Sequence, residues 1–246
     1  MVNVLSYASS FYVKNLKLIL LFSLSFIIAL SIPIFASFPT FKDLGGIFIR
    51  TASIIQFNGL NAVSVSVIAV SILLSSLFLS FAIVSINVLV KHDRTHTRIK
   101  QEVISGLEKY TSKVFFILLA FTSILLITNI ASTSYGLLFG GAMTSIVGLI
   151  LTPFFFYAPS SIVIDENKTT RAIKASLKFF FKRFEYFILW IVLAVALITF
   201  FDFIFITISS QFSMYIMLIF SSLFIMPFLV VLQSEFYMKK FALLHY

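Results

Sequence analysis

The pattern in this chain that most resembles a reactive site is the segment HDRTH, which begins at His92 and ends at His96. On a helix, residues four positions apart share a face, so the two histidines could bind zinc while Asp93 activates a water molecule. Glu102 and His245 are the candidates for a third ligand. The segment directly follows a long apolar run, where polar residues are expected in any case. We therefore interpret it as a solvated loop, and an intramembrane metalloprotease is the less favoured alternative.

Two carboxylates, Asp202 and Glu235, fall near the ends of apolar runs. An ion-coupled pathway usually places its carboxylate deeper in the bilayer, so we interpret both as snorkelling or capping groups. The absence of cysteine excludes disulfides, thiol catalysis and cysteine-ligated metals. The chain also has no G-x-S-x-G motif, no Walker A loop and no G-x-G-x-x-G motif. We predict a protein that is not an enzyme and that needs no cofactor or metal.

A polar stretch at residues 165–184 interrupts the apolar sequence and has helical periodicity. Read as a helix from Lys168 with Asn167 as its N-cap, it has basic and apolar residues at spacings of three and four. The basic residues that share one face are Lys168, Arg171, Lys174, Lys178 and Lys182. The apolar residues of a different face are Ile173, Leu177, Phe180, Phe181 and Phe184. We predict an amphipathic helix in the membrane interface, whose basic face contacts anionic lipid headgroups or a protein partner.

The composition places the chain among the membrane proteins. Of its 246 residues, 60% are hydrophobic and 11% are charged, whereas a soluble domain carries about 25% charged residues. The formal net charge is +9, and because the basic residues border apolar runs, their expected partners are phospholipid headgroups and not nucleic acid.

Six apolar runs approach the length of about 20 residues with which a helix crosses a bilayer. They extend from Leu18 to Ile34, Ala62 to Val90, Val114 to Ile130, Leu137 to Tyr157, Phe187 to Ile206 and Met214 to Tyr237. Of the 18 lysines and arginines, only Lys42 and Arg50 fall on the side of the membrane opposite to the rest. The positive-inside rule therefore predicts a multi-pass protein of the cell membrane with both termini in the cytoplasm.

A weak internal repeat divides this single membrane domain into residues 1–91, 92–165 and 166–240, and it aligns Ser105 with Ser176. The predicted fold is all-α, with six transmembrane helices in three hairpins, each preceded by a cytoplasmic interfacial amphipathic helix. The small residues of the fourth span are Gly136, Gly140, Gly141 and Gly148. They predict close helix packing, within the bundle or in a dimer. Pro153 and Pro227 predict kinks in the fourth and sixth spans.

The passage at residues 159–176 contains Pro159, then Ile162-Val163-Ile164-Asp165-Glu166, then Ala172-Ile173 and Ser176 before an aromatic and basic segment. In these residues it resembles the membrane domain of some glycerophosphodiester phosphodiesterases and of related six-helix membrane families. The resemblance implies six helices with interfacial helices before the odd-numbered spans, and an accessory role. These residues include no counterpart of the soluble catalytic barrel of those enzymes, so phosphodiesterase activity is not expected.

These observations lead us to expect a non-enzymatic membrane protein that serves as a scaffold, a lipid-handling module or an accessory subunit. The alternative is a permease subunit, for example of a type-two ABC exporter, which this chain resembles in length, in its six spans and in the amphipathic helix before the first span. A cytoplasmic helix, at residues 98–113 or 168–184, would then couple to an ATPase subunit.

Overall fold

A computed structural model describes residues 2–35, 62–95, 99–134, 140–208 and 213–239, and all regular structure within them is helical. The helices are α1 (Val2–Lys14), α2 (Leu16–Phe35), α3 (Ala62–Thr95), α4 (Ile99–Ser134), α5 (Gly140–Phe155), α6 (Ala158–Ile164), α7 (Thr169–Lys182), α8 (Phe184–Ile208), α9 (Ser213–Phe220) and α10 (Met226–Met238). A π-helical turn, Ser221–Ile225, joins α9 to α10. The long outer loop at 36–61 lies outside the described residues.

Five segments of the described chain are long and apolar enough to cross a membrane. They are Ser66–Asp93, Ile104–Ser132, Met143–Ile164, Phe184–Thr207 and Tyr215–Met238. A sixth is present if α1 and α2 are counted as one element, bent by 88° between them. The predicted all-α, multi-pass membrane fold is therefore confirmed. At 1.5 Å per residue, the 34 residues of α3 extend about 50 Å, well beyond a bilayer core of about 30 Å.

The fourth and sixth spans, for which Pro153 and Pro227 predict kinks, both depart from a regular α-helix close to these prolines. In the fourth span, Pro153 lies in the last turn of α5, and Phe156 and Tyr157 then separate α5 from α6. In the sixth span, the π-helical turn directly precedes α10, in which Pro227 is the second residue. The proline ring and the missing N–H disturb the hydrogen-bond ladder at these places.

Helix α1 is attached to the disturbed part of the sixth span. Since Pro227 has no N–H, it cannot donate to a carbonyl one turn earlier. The hydroxyl of Tyr12 donates there instead, 3.4 Å from the carbonyl oxygen of Leu223 and 3.2 Å from that of Phe224. The ring of Tyr12 also packs edge-on against Phe228, with 5.6 Å between the centroids. These contacts with the sixth span hold α1 in its bent position relative to α2.

The segments that precede the three odd-numbered spans differ from one another. Helix α1 lies almost perpendicular to α2, and Arg183 separates α7 from α8. The segment before the third span, where the sequence predicts a separate interfacial helix, is instead continuous with its span in the 36-residue helix α4. No proline or glycine pair interrupts the sequence at that junction, so the helix continues through it.

Helix α3 lies at the centre of the bundle, packed against α2, α4, α6 and α10. Gly106 of α4 faces Val88 of α3 so closely that an added Cβ would lie 3.0 Å from Cγ2 and 3.3 Å from Cγ1 of the valine. The glycine pattern of the sequence pointed to the fourth span instead. There, a Cβ at Gly148 would make an ordinary contact of 3.5 Å with Leu125.

Substitution Gly106→Ala tests this close approach. The new methyl group would lie 3.0 Å from the stiff side chain of Val88. We therefore expect the free energy of unfolding to be about 1–3 kcal/mol lower than in Gly148→Ala, which has the same gain in helix propensity without this close contact. Gly148→Ala is the matched control and should be neutral or stabilising by up to about 1 kcal/mol, because alanine is the better helix former. Thermal unfolding in mild detergent measures both, and equal melting temperatures would contradict the predicted close contact.

Candidate functional site

Helix α7 carries its cations on the outside of the bundle. The five residues Lys168, Arg171, Lys174, Lys178 and Lys182 are all exposed, and we call them the basic face of α7. Within the described part of the chain, none of them forms an ion pair with an acidic side chain. The face is therefore open to solvent, headgroups or a partner.

The side of α7 that is buried against the bundle coincides only in part with the apolar face read from the sequence, since Phe180 belongs to both. The residues buried against the bundle are Ala172, Ser176, Phe179 and Phe180. By contrast, Phe181 is 70% exposed, and Phe184 at the start of α8 is 48% exposed. The small side chains of Ala172 and Ser176 let α7 approach α5 and α6 closely, so size and hydrogen bonding decide which side is buried.

Ser176 completes the backbone hydrogen bonding of the broken fourth span. In an unbroken helix, the N–H of Tyr157 would donate to the carbonyl of Pro153, four residues earlier. In this structure that N–H donates to Ser176 Oγ at 3.0 Å, and the same hydroxyl donates to the Pro153 carbonyl at 2.9 Å. Ser176 is completely buried. One hydroxyl of α7 thus replaces a helical hydrogen bond of its neighbour.

Aromatic side chains surround the same break. Tyr157 packs edge-on against Phe179 of α7, with 4.8 Å between ring centroids. Phe156 packs edge-on against Trp190 of α8 at 4.9 Å, and its carbonyl accepts a hydrogen bond from the side chain of Gln233 on α10. Three helices therefore meet at the two residues that separate α5 from α6.

The junction between α6 and α7 is held by polar contacts to two helices. The hydroxyl of Tyr237 on α10 donates to Asp165 Oδ2 at 2.6 Å. The amide of Asn167 donates to Ser161 Oγ at 3.0 Å and to Asp165 Oδ2 at 3.3 Å. The prediction that Asn167 caps α7 is wrong, because Lys168 occupies the cap position and makes no side-chain cap bond. The asparagine fixes the turn that leads into the helix instead.

Glu166 connects this junction to α3 and α4. Its carboxylate lies 2.9 Å from Lys91 Nζ and also pairs with Lys109. Hydrogen bonds from Lys109 first and Lys91 second lower the pKa of Glu166 from 4.5 to about 2, so the side chain is ionised at neutral pH. Its backbone is in the left-handed region, with φ 56°. A glutamate adopts that conformation only where the surroundings impose it.

The HDRTH segment contributes an anchor for α1. Tyr7 donates a hydrogen bond of 2.7 Å to Asp93 Oδ2, and Lys14 Nζ lies 3.1 Å from Asp93 Oδ1. The interpretation of this segment as a solvated loop is wrong for residues 92–95, because they belong to α3 and His92 is buried, whereas His96 lies outside the described residues. In the part of the chain that the structure describes, no three side chains of the metal-ligating types come together. Asp93 therefore has a structural role that its sequence context did not indicate.

The two carboxylates near span ends have opposite environments. Asp202 on α8 is exposed, but Glu235 on α10 is 0% exposed. The snorkelling interpretation is therefore wrong for Glu235, because none of that residue reaches the surface. Beside it, Ser234 Oγ donates to Asn87 Oδ1 on α3 at 2.8 Å. Buried polar groups thus line the contact between α3 and α10.

The glycines predicted for helix packing fall in the fourth span. Gly136 lies outside the described residues, Gly140 and Gly141 begin α5, and Gly148 lies against Leu125 of α4. The α4–α5 contact also contains a polar pair. In it, Asn129 donates from its amide to Thr144 Oγ1 at 3.4 Å.

Comparison of the chain with protein-family models, with curated proteins and with solved structures gives no match. The resemblance to the membrane domain of glycerophosphodiester phosphodiesterases therefore stays a prediction, carried only by the residues quoted for it. Helix α7, the α6–α7 junction and the charged ends of α3 and α4 lie together at one end of the bundle, which we call the basic end.

Removal of the Ser176 hydroxyl tests how α7 is docked. In Ser176→Ala, the N–H of Tyr157 and the carbonyl of Pro153 lose their partner in a buried place, which costs about 1–3 kcal/mol per group. We expect α7 to unfold locally more often, and trypsin to cleave after its lysines several times faster. Thr170→Ala, an exposed change on the same helix, should leave the rate unchanged. Equal cleavage rates in the two variants would refute the docking role.

The Glu166 ion pairs predict an acid-sensitive contribution to stability. Because folding lowers this pKa to about 2 from 4.5, the contribution is complete above about pH 4.5 and is lost as the pH falls towards 2. The carboxylate is half-exposed, so the contribution is at most about 1 kcal/mol. Thermal unfolding should show Glu166→Gln less stable than the parent at neutral pH but equal to it near pH 2. A difference that persists in acid would mean that another property of Glu166 is responsible.

Proposed function

We propose that this protein is a non-enzymatic membrane scaffold or lipid-handling subunit, and that the basic face of α7 binds anionic headgroups on the cytoplasmic side of the cell membrane. One observation supports this most strongly. Five exposed cations have no acidic partner in the described part of the chain, while the opposite side of the same helix is buried in the bundle. The nearest acids in the sequence, Asp165 and Glu166, already have other partners. Anionic headgroups are the counter-ions that a membrane supplies.

The docking of α7 favours this role because the cations are already ordered before a headgroup arrives. Helix α8 follows directly at Phe184, so the basic face lies beside the start of a span. Each lysine or arginine near an anionic surface contributes about 1 kcal/mol, which gives about 5 kcal/mol for the face before screening. Phe181, exposed beside Lys182, provides an apolar group that can insert among acyl chains.

Neutralising three of the cations together tests the proposal. We expect the variant with Lys174→Gln, Lys178→Gln and Lys182→Gln to bind phosphatidylglycerol about 100-fold more weakly, at about 1 kcal/mol per charge. Binding of phosphatidylcholine should not change. The control replaces the same three residues with arginine, which keeps the charge. Native mass spectrometry of the purified protein with each lipid makes the measurement. If the glutamine variant keeps the affinity of the arginine variant, the basic face does not bind lipid.

A permease subunit is the second candidate, and the burial of Glu235 favours it. A carboxylate fully buried within an apolar span is costly and often marks an ion or substrate pathway. In this function the basic face of α7 would contact an ATPase instead of lipid.

Purification in mild detergent distinguishes the two candidate functions. An ATPase recovered in a stable ratio, and lost from the glutamine variant, would favour the permease. Enriched anionic lipid without an ATPase would support the scaffold.

A further inference from the structure

Three lysines converge on one tyrosine ring at the basic end, apart from the basic face of α7. The Nζ atoms of Lys91, Lys109 and Lys113 lie 5.8, 5.1 and 5.6 Å from the ring centroid of Tyr110. Tyr110 is only 4% exposed, so its ring forms a fixed base for the ammonium groups. Lys91 comes from α3 and the other two from α4, so the pairing of these helices assembles what we call the lysine cluster.

Within the described residues, Glu166 is a counter-ion of the lysine cluster. It pairs with Lys91 and Lys109, while Lys113 forms no ion pair within the described residues. Three lysines and one glutamate leave a net charge of +2 on the group. Lys91 Nζ is held in place from behind, because it also donates to the carbonyl of Val163 at 3.1 Å. Ammonium groups that converge on one carboxylate are also well placed for the oxygens of a phosphate.

We propose that the lysine cluster is a binding site for a phosphate monoester, and that Glu166 occupies the site until the phosphate displaces it. A phosphate monoester carries a charge of about −1.5 to −2 at neutral pH and three acceptor oxygens. It therefore satisfies Lys113 as well as the two lysines that Glu166 reaches.

This inference deepens the proposed function and rests on it for the source of the phosphate, which is a lipid headgroup such as that of phosphatidate. The two surfaces differ in what they select. The basic face of α7 is a row of separate charges that attracts any anionic lipid, whereas the lysine cluster concentrates three cations on one group. Phosphodiester headgroups, with a single charge, should therefore compete poorly with Glu166.

The test measures binding of phosphatidate and of phosphatidylglycerol to the purified 246-residue chain by native mass spectrometry. Glu166→Gln removes the competing carboxylate, so phosphatidate should bind about fivefold more tightly. Glu108→Gln is the matched control, because Glu108 is exposed beside Lys109, carries the same charge and forms no ion pair in the described part of the chain. Glu166→Gly, which suits the left-handed backbone and also lacks the carboxylate, should bind phosphatidate as tightly as Glu166→Gln.

A second variant leaves the Glu166 ion pairs intact. Lys113→Gln should weaken phosphatidate binding about fivefold and should leave phosphatidylglycerol binding unchanged. Equal phosphatidate affinities in Glu166→Gln and Glu108→Gln would overturn the proposal, and so would a Lys113→Gln variant that keeps its preference for phosphatidate.

Two further arms keep the conclusions separate. Inorganic phosphate that displaces phosphatidate at equal concentration would support the site but identify the free ion as its ligand, whereas phosphatidate that resists displacement identifies the lipid.

The glutamine variant of the α7 lysines should lose phosphatidylglycerol binding, and its phosphatidate affinity should still rise when Glu166→Gln is added. If it keeps phosphatidylglycerol, the proposed function of the basic face fails. If only the response to Glu166→Gln is missing, the lysine cluster alone fails.

Discussion

The hydroxyl of Ser176, inserted between the N–H of Tyr157 and the carbonyl of Pro153, determines how the basic end is arranged. In a bilayer no water is available to satisfy a helix that stops and starts again, so the groups at a break must find partners within the protein. A single buried hydroxyl supplies both a donor and an acceptor here. It thereby fixes the position of α7 along the fourth span and its rotation about its own axis. The outward direction of the lysines follows from that rotation.

The sixth span shows a related solution. Its proline lies after a π-helical turn, and the hydroxyl of Tyr12 on α1 donates to the carbonyls of Leu223 and Phe224 there. In both cases a hydroxyl from a helix that precedes an odd-numbered span binds the disturbed backbone of an even-numbered one. The second span has Ser80-Phe81 where the fourth and sixth have Pro153-Phe154 and Pro227-Phe228, and α3 continues unbroken through it. The segment before the third span is likewise continuous with α4, so a broken span and a separate interfacial helix occur together.

Much of this arrangement could be predicted from local sequence, because spans and cations depend on runs and spacings a few residues long. The ends of α2 and α8 fall within a few residues of the predicted spans, and the five cations of α7 are exposed as their spacing indicates. Hydrophobicity could not predict that Ser176 belongs to the buried side of α7, because this side chain is polar and is buried for its hydrogen bonds. Gly106 is a lone glycine with no motif around it, and its importance depends on Val88 of another helix.

The charge distribution at the basic end also could not be predicted from the sequence, because it depends on contacts between different helices. In the chain, Asp165 and Glu166 directly precede the cations of α7. From this position they would be expected to neutralise those cations or to interact favourably with the helix dipole. In the fold, Asp165 accepts from Tyr237 of α10, and Glu166 turns towards Lys91 and Lys109. The acids that are nearest in sequence therefore neutralise cations that are distant in sequence. As a result, the positive charge forms two kinds of surface. The lysine cluster is compact and already contains a carboxylate, whereas the basic face of α7 is an open row of cations whose counter-ions come from the membrane.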